Sequence, residues 1–382
     1  MKNILYLADC NLIHDLKWIS FFSAQNTKYQ CFVIMREVHA KQISEEKLTI
    51  LQKKYNFKLV GIINDFSIVR FWQNFKQKNR IQQAIKDYKI DIFHIFYAEP
   101  NALWANFNYT CKIILTTRGT DVLKTIPEFF NKKNILAKLV SYFYKRAFSR
   151  FDAISSTSTQ QIQSIENHLV KNKKIQLIRT GVDVDKILNN NPNQLLETLL
   201  DKKYILFPRN MRPIYNHEFA INSLLLTNKE IKDNYTVVFV DKNAQDKNYV
   251  SKIGNLLANS GLNYLFLDAI EQEILFELYK KAALVVMCPL SDGTPVSAIE
   301  TMVCKTPLIL PPLAYDKDIF SNGEVFLLAN WEEKNLATAI EDILTKKIIL
   351  DSEKAQQKAI LLANRQTEME KLAAIYAQIL GC

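Results

Sequence analysis

The sequence predicts an α/β protein made of two domains, each a doubly wound parallel sheet with helices on its faces. Three observations predict it. The chain opens strand–helix–strand: an apolar run over Lys2–Ala8, an amphipathic stretch over Asn11–Phe22 and a second apolar run over Tyr29–Met35. That is how a doubly wound sheet begins. Residues 282–310 read AALVVMCPLSDGTPVSAIETMVCKTPLIL, which is a buried strand, a tight loop, a helix and a further strand. At 382 residues, two domains are expected rather than one.

Composition bounds the function. Hydrophobic residues make up 48% of the chain, enough for sizeable cores. The formal charge of +10 favours anionic partners: nucleotide diphosphates, nucleic acid or an acidic membrane surface. Cys10, Cys31, Cys111, Cys288, Cys304 and Cys382 are scattered, with no Cys-x-x-Cys or His/Cys cluster. Neither a zinc site nor a disulfide framework is expected, and reduced thiols fit a cytoplasmic protein. The start, MKNILYLADC, reads as a first strand and not as a signal peptide. No apolar stretch approaches the length that spans a bilayer.

Along the first half, Asn11–Phe22 places Leu12, Leu16, Ile19 and Phe22 on one face. Phe57–Ile62 reads as a short strand and Phe71–Tyr88 as a long polar helix with an apolar stripe. Ile90–Phe96 is a strand carrying His94, and a histidine in an apolar strand is commonly a packed core residue. Cys111–Thr117 is a strand that ends in Arg118-Gly119-Thr120-Asp121. Carboxyl ends of parallel strands are where such folds place chemistry; a strand-end turn with an Arg–Asp pair is the other reading. Asn131–Arg150 reads as one helix with Ile135, Leu136, Leu139, Val140, Phe143 and Ala147 on a shared face. Lys132, Lys133, Lys138, Lys145, Arg146 and Arg150 surround that face. Such a helix lies on an anionic membrane or is an ordinary crossover helix with a solvated basic side; the residues leave both open. Ala153–Ser158 and Ile175–Ile178 are strands on either side of a helix over Thr159–Leu169.

In the second half, Tyr204–Phe207, Thr236–Val240 and Leu262–Leu267 read as strands and Glu273–Lys281 as a helix. The last helix is Arg365–Leu380, apolar at Met369, Leu372, Ile375, Tyr376 and Ile379. Within 282–310, Thr294 stands where an N-cap would stand, and Pro295 occupies the first helical position, where its missing N–H costs nothing. The helix runs to about Cys304. Its amino end and the glycine-containing loop before it aim backbone N–H groups at whatever lies above the strand, and a phosphate suits that place. Asp292 and Glu300 bracket the segment. Glu300 sits too far into the helix to cap it; facing a cleft, it would accept hydrogen bonds from vicinal hydroxyls such as those of a ribose. A solvated helix glutamate plus a turn aspartate is equally open on spacing alone.

The 282–310 segment resembles the donor-site signature of the retaining glycosyltransferases of family 4, which have the GT-B fold. Asp292 takes the place of the first glutamate of the family's Glu-x7-Glu pair, Glu300 matches the second, and Met302 and Pro307 fall in register. Lys305 stands where the family usually has a helix-ending glycine. The resemblance extends over nearly the whole chain. His14, Lys17 and Trp18 match a His-x-x-(Lys/Arg)-Trp pattern. His94 stands where a histidine is frequent. TTRGTDV at 116–122 resembles a Thr-x-Arg-Gly-Ser-Asp segment, and RTGVD at 179–183 resembles the hinge that ends the first domain. Arg209 matches the arginine that contacts the donor diphosphate, with Pro213, Tyr215 and Asn216 in register; Arg212 substitutes for the usual lysine. Asp268-Ala269-Ile270 resembles the loop that cups the base, and Leu313–Ile319 with Ser321–Leu328 the helix–turn–strand that follows.

The resemblance implies two Rossmann-like domains facing across a cleft. Residues 1–183, joined by the C-terminal helix 365–382, form the acceptor domain, and residues 184–364 the donor domain. It implies retaining, metal-independent transfer of a sugar from a nucleotide-diphosphate sugar, the co-substrate, to a glycan or lipid-linked acceptor in cell-surface polysaccharide or lipopolysaccharide synthesis. Glu300 would hold the ribose and Asp292 the transferred sugar. Gly293, Thr294, Pro295 and Val296 would hold the diphosphate with Arg209 and Arg212, and Asp268 and Ala269 would lie at the base. Arg118 and Asp121 would act beside the acceptor, with His14, Lys17 and His94 also on that side. A non-catalytic GT-B protein that binds a nucleotide or sugar is the alternative. Nucleic-acid binding is disfavoured, because the basic residues are spread over both halves and concentrated only at 131–150.

Overall fold

The computed structural model describes residues 1–25, 27–171, 175–190, 203–240, 246–268, 270–292 and 294–381. They divide into two compact units. Unit 1 is Met1–Thr180 with Thr367–Cys382, and unit 2 is Gly181–Gln366.

Unit 1 holds seven strands: β1 (Lys2–Leu7), β2 (Tyr29–Arg36), β3 (Lys58–Ile63), β4 (Ile92–Phe96), β5 (Lys112–Thr117), β6 (Ala153–Ser156) and β7 (Ile175–Leu177). They lie in the order β3-β2-β1-β4-β5-β6-β7, and every pairing is parallel. Helices cover both faces, so the strands are continuous apolar runs rather than alternating ones. Leu5, Leu7, Phe93, Ile95 and Leu115 feed one core layer; Ile4, Tyr6, Ile92, Phe96 and Ile114 feed the other. That second layer is completed by Met369, Leu372, Ile375 and Tyr376 of the helix Arg365–Leu380.

Unit 2 holds β8 (Tyr204–Phe207), β9 (Thr236–Val240), β10 (Tyr264–Leu267), β11 (Leu284–Val286), β12 (Leu308–Leu310) and β13 (Phe326–Leu327). Their order is β10-β9-β8-β11-β12-β13, again wholly parallel. In each sheet the chain reverses its direction of travel once, between β1 and β4 and between β8 and β11. Loops leaving two neighbouring strands there diverge to opposite faces and open a crevice at the carboxyl ends, where doubly wound folds bind ligands. The two sheets are the two Rossmann-like halves of a GT-B fold.

Three expectations are corrected. The stretch 131–150 is not one helix: Ile126–Asn131 ends one and Ile135–Arg150 forms another, with Asn134 capping its start through a side-chain bond to the Ala137 N–H, 2.7 Å. Nor is Ile135, Leu136, Leu139 the packed face. The helix buries Ala137, Val140, Tyr144, Ala147 and Phe148, because Arg146 and Arg150 bond the carbonyls of Asn106 and Ala105 and so fix its rotation. Leu313–Ile319 is no helix. Pro311 and Pro312 supply no N–H before it, and the buried Asp316 carboxylate bonds the Asp318 N–H at 3.1 Å, a local turn that competes with helix. Helices at Glu45–Tyr55, Lys247–Ala258, Glu333–Leu344 and Ser352–Ala363 complete the layers.

Gly181 begins unit 2 at φ +67°. A Cβ there would stand 2.7 Å from the Arg365 Cα, so the backbone bridge between Val182 and Asn364 needs glycine beside it. Among the described residues no helix is long and apolar enough to cross a membrane.

Candidate active site

In unit 2 the functional side chains gather where β8 and β11 end. These strands pair directly, Ile205 opposite Leu284, so the loops that follow them emerge side by side. Arg209 comes from the first loop and Asp292 from the second, and they form an ion pair at 3.4 Å, both about one-fifth exposed. Arg209 also donates to the Ser297 hydroxyl at 2.7 Å, and its guanidinium lies over the Tyr215 ring, 4.2 Å from the centroid. Its backbone is held as well: His217 Nε2 donates to the Arg209 carbonyl at 3.1 Å. Burial pushes the His217 imidazole down to about 4, so it is a neutral donor at neutral pH.

The helix beyond Asp292 spans Val296–Val303. Pro295, extended at ψ 121°, is its N-cap, one residue later than the sequence predicts, and no side chain caps it. The Thr294 hydroxyl is buried beside this start with no hydrogen-bond partner among the described residues. Buried polar groups are rarely left so. One turn further on, Glu300 is 5% exposed and accepts from the Gln272 amide at 3.0 Å. The Tyr279 hydroxyl is fully buried; its pKa is held well above the ordinary value, first by desolvation, then by the nearby Glu300 charge, with Arg209 opposing. Tyr315 is likewise pushed up by burial and then by Asp292. Arg209, Asp292 and Ser297 therefore form one polar cluster in unit 2, and the Arg209 charge is felt at two buried tyrosines, Tyr279 beside Glu300 and Tyr315 beside Asp292. Arg212 is exposed at the start of the turn Pro213–Tyr215, and Asp268 is exposed just past β10. Gly293 and Ala269 lie outside the described residues.

In unit 1 the corresponding groups lie at the ends of β1, β4 and β5. Arg118 pairs with Asp15 at 3.2 Å, with side-chain exposures of 5% and 1%. Its guanidinium centre lies 4.3 Å from the Trp18 ring and 4.8 Å from the Phe96 ring, in the corner made by two rings set edge-to-face at 86°, a double cation–π contact. Its Nε and one terminal nitrogen are buried without partners among the described residues. Asp121 is consumed by the backbone. Its carboxylate accepts from the N–H groups of Ala98, Gly119 and Val122 at 2.7, 2.9 and 3.0 Å, with Arg118 N–H at 3.3 Å. Desolvation raises its pKa and those four donors pull it back. Gly119 takes φ +131°, which folds the loop around this carboxylate. His94 is fully buried, bonded to the Tyr376 hydroxyl at 2.5 Å and the Thr116 hydroxyl at 2.7 Å, and burial depresses its pKa. It sits inside the core layer. His14 is exposed and Lys17 half-buried on the helix that carries Asp15 and Trp18.

Sequence reasoning missed Asp15, Ser297, Gln272, His217 and Tyr279. No local pattern marks them: His217 acts on Arg209, eight residues away, and the others act on residues distant in the chain. Among the described residues no group of three His, Cys, Asp or Glu side chains is placed to hold a metal ion.

The two wholly parallel doubly wound sheets, of seven and six strands, define a protein of the GT-B class. Residues 193–360 match the family described as glycosyl transferases group 1, and residues 3–158 match glycosyl transferase 4-like. The chain belongs to the family 4 glycosyltransferases, retaining enzymes that move a sugar from a nucleotide-diphosphate sugar. Comparison with curated proteins found no match. Among solved structures, a glycosyltransferase from Rickettsia africae is similar at TM-score 0.78 and 17% identity, covering 99% of this chain and 98% of the other. Anabaena HepE in complex with UDP and glucose is similar at TM-score 0.74 and 15% identity, covering 99% and 100%. The lipopolysaccharide outer core galactosyltransferase WaaB is similar at TM-score 0.67 and 12% identity, covering 99% and 100%. At these identities the likeness is one of fold.

Proposed function

We propose that unit 2 grips the donor through Arg209, Asp292 and the start of helix Val296–Val303, and that unit 1 presents a glycan or lipid-linked acceptor in cell-surface polysaccharide or lipopolysaccharide synthesis. The observation that carries the proposal is the Arg209–Asp292–Ser297 cluster at the carboxyl ends of β8 and β11. Arg209 and the free amides of the helix start neutralise the diphosphate, joined by Arg212 and the Thr294 hydroxyl. Glu300 takes the ribose hydroxyls, with Gln272 fixing its carboxylate. Asp292, held by Arg209, contacts the hydroxyls of the transferred sugar. Asp268 lies towards the base.

On the acceptor side, Arg118 is the group that acts near the reacting hydroxyl, and Asp121 positions it by organising the loop. His94 ties β4 to the last helix. In a retaining front-face transfer, the bond from the anomeric carbon to the diphosphate breaks and the acceptor oxygen bonds to the same face of that carbon. The departing phosphate oxygen takes the acceptor proton. The protein's part is to stabilise the charge that grows on the leaving diphosphate. HepE was solved with UDP and glucose, and WaaB acts on lipopolysaccharide outer core, which supports a similar pairing of donor and acceptor types here.

Titration calorimetry with a nucleoside and its diphosphate tests the donor half. Arg209→Ala is expected to weaken the diphosphate about 10- to 100-fold, from the loss of charge-assisted hydrogen bonds, and to leave the nucleoside unchanged. Glu300→Gln is expected to weaken both by one factor. Wild-type affinity for the diphosphate in either variant rejects the assignment.

A further inference from the structure

The helix Ile135–Arg150 carries a second apolar stripe opposite its packed face. Ile135, Leu139 and Tyr142 are 86, 42 and 60% exposed, and one helical turn separates each from the next. A distant segment adds to it, with Val69, Trp72 and Phe75 at 71, 69 and 51%. The two are joined through aromatic contacts. Phe71 stacks on Phe143 with centroids 5.5 Å apart, Phe75 meets Phe71 at 5.7 Å, and Tyr142 meets Phe143 at 5.8 Å. The result is one continuous apolar face on unit 1, built from two stretches of chain. Along both stretches the charged side chains carry one sign. Residues 66–86 contain five Lys or Arg and residues 129–151 contain six, and neither stretch contains an Asp or Glu. Glu128 and Asp152 flank the second stretch in the chain, and Asp65 and Asp87 flank the first.

We propose that this face docks unit 1 onto a bilayer surface rich in anionic lipid. The chemistry of the patch fits that occupant on both counts. Trp and Tyr rings favour the headgroup level, where an apolar body meets a polar edge. Isoleucine and leucine reach the acyl boundary, while Lys132, Lys133 and Lys138 beside them meet the phosphates. A second copy of the chain would set cations against cations. The inference goes beyond the donor reading and stands without it, because it uses none of the residues of the sugar-transfer site.

Vesicle co-sedimentation of the full chain tests it, comparing neutral phosphatidylcholine with mixtures containing roughly a third anionic lipid. Binding is expected only to the anionic vesicles and is expected to fall with salt. A blue shift of tryptophan emission is expected on binding and is expected to vanish in Trp72→Phe, since Trp18 and Trp104 are fully buried and Trp331, 37% exposed, belongs to unit 2 and not to this face. Neutralising Lys132, Lys133 and Lys138 to Gln is expected to lower partitioning about 100-fold, at ~1 kcal/mol per charge near an anionic surface. Ile135→Ser with Leu139→Ser is expected to lower it about ten-fold. Both variants should keep wild-type affinity for nucleoside diphosphate. Equal binding to neutral vesicles, no binding, or binding unchanged in both variants overturns the proposal. So does patch-dependent self-association in sedimentation velocity, which would make the face a protein interface.

Discussion

A guanidinium packed against two aromatic rings and a buried carboxylate is a costly arrangement unless each partner holds the others. Arg118 and Asp15 come from positions 103 residues apart and bury together. The Asp15 carboxyl is raised to about 6, by burial first, with the Arg118 charge opposing. The folded chain therefore binds this proton more tightly than the unfolded chain between about pH 4 and 6. The group favours folding below its ordinary value and loses that contribution as pH rises through about 6. Urea unfolding of wild type and Asp15→Asn across this window is expected to show the difference in stability, wild type minus variant, falling as pH rises. A difference that does not change with pH contradicts the dominance of burial over the Arg118 charge at Asp15. Arg118 was legible in the sequence, because it follows a strand at a position where α/β folds do chemistry. Asp15 was not, since nothing near it in the chain reveals that its helix faces the end of β5.

The helix Val296–Val303 carries the donor reading, and its far end shows how local rules bend. Lys305 adopts φ +58°, the left-handed turn that a glycine normally supplies. Backbone bonds from the Lys305 N–H to Met302 O at 3.0 Å and from the Thr306 N–H to Thr301 O at 3.3 Å close the turn. Lys305 also pairs with Glu353 at 2.6 Å on an exposed surface, a contact of little worth in water. A non-glycine residue in this region costs about 1–2 kcal/mol, partly offset by the entropy that glycine loses on folding. Lys305→Gly is expected to raise the stability of unit 2 by about 0.5–1 kcal/mol, read as a rise of roughly 2 °C in its thermal midpoint. A fall in midpoint contradicts the strain. The helix Ile135–Arg150 teaches the reverse lesson. Its sequence has two apolar stripes, and periodicity alone does not say which is packed. Arg146 and Arg150, bonded to the carbonyls of 105 and 106, settle the choice from outside the helix.

At the scale of the molecule, the parallel sheets were legible because both faces of each are covered, which makes strands into unbroken apolar runs such as ILYL, VVFV and ALVV. Strand order was less so, since it depends on which crossover goes to which side. The proposed donor site was half legible. Asp292 and Glu300 lie within one segment and Arg209 just past a strand, whereas Ser297 meets Arg209 only once β8 and β11 are neighbours, and Gln272 meets Glu300 only once the helices before and after β11 pack together. Helices at 333–344 and 352–363 were passed over because they carry no functional pattern to draw the eye. The account's central claim is that this site holds a nucleotide-diphosphate sugar for retaining transfer. The most direct measurement is proton NMR of slow hydrolysis over a panel of UDP-, GDP- and ADP-sugars with acceptor withheld. Turnover of a subset sharing one base, releasing first the anomer that the donor carried, is the expected result; no turnover of any donor, or first release of the opposite anomer, would contradict it.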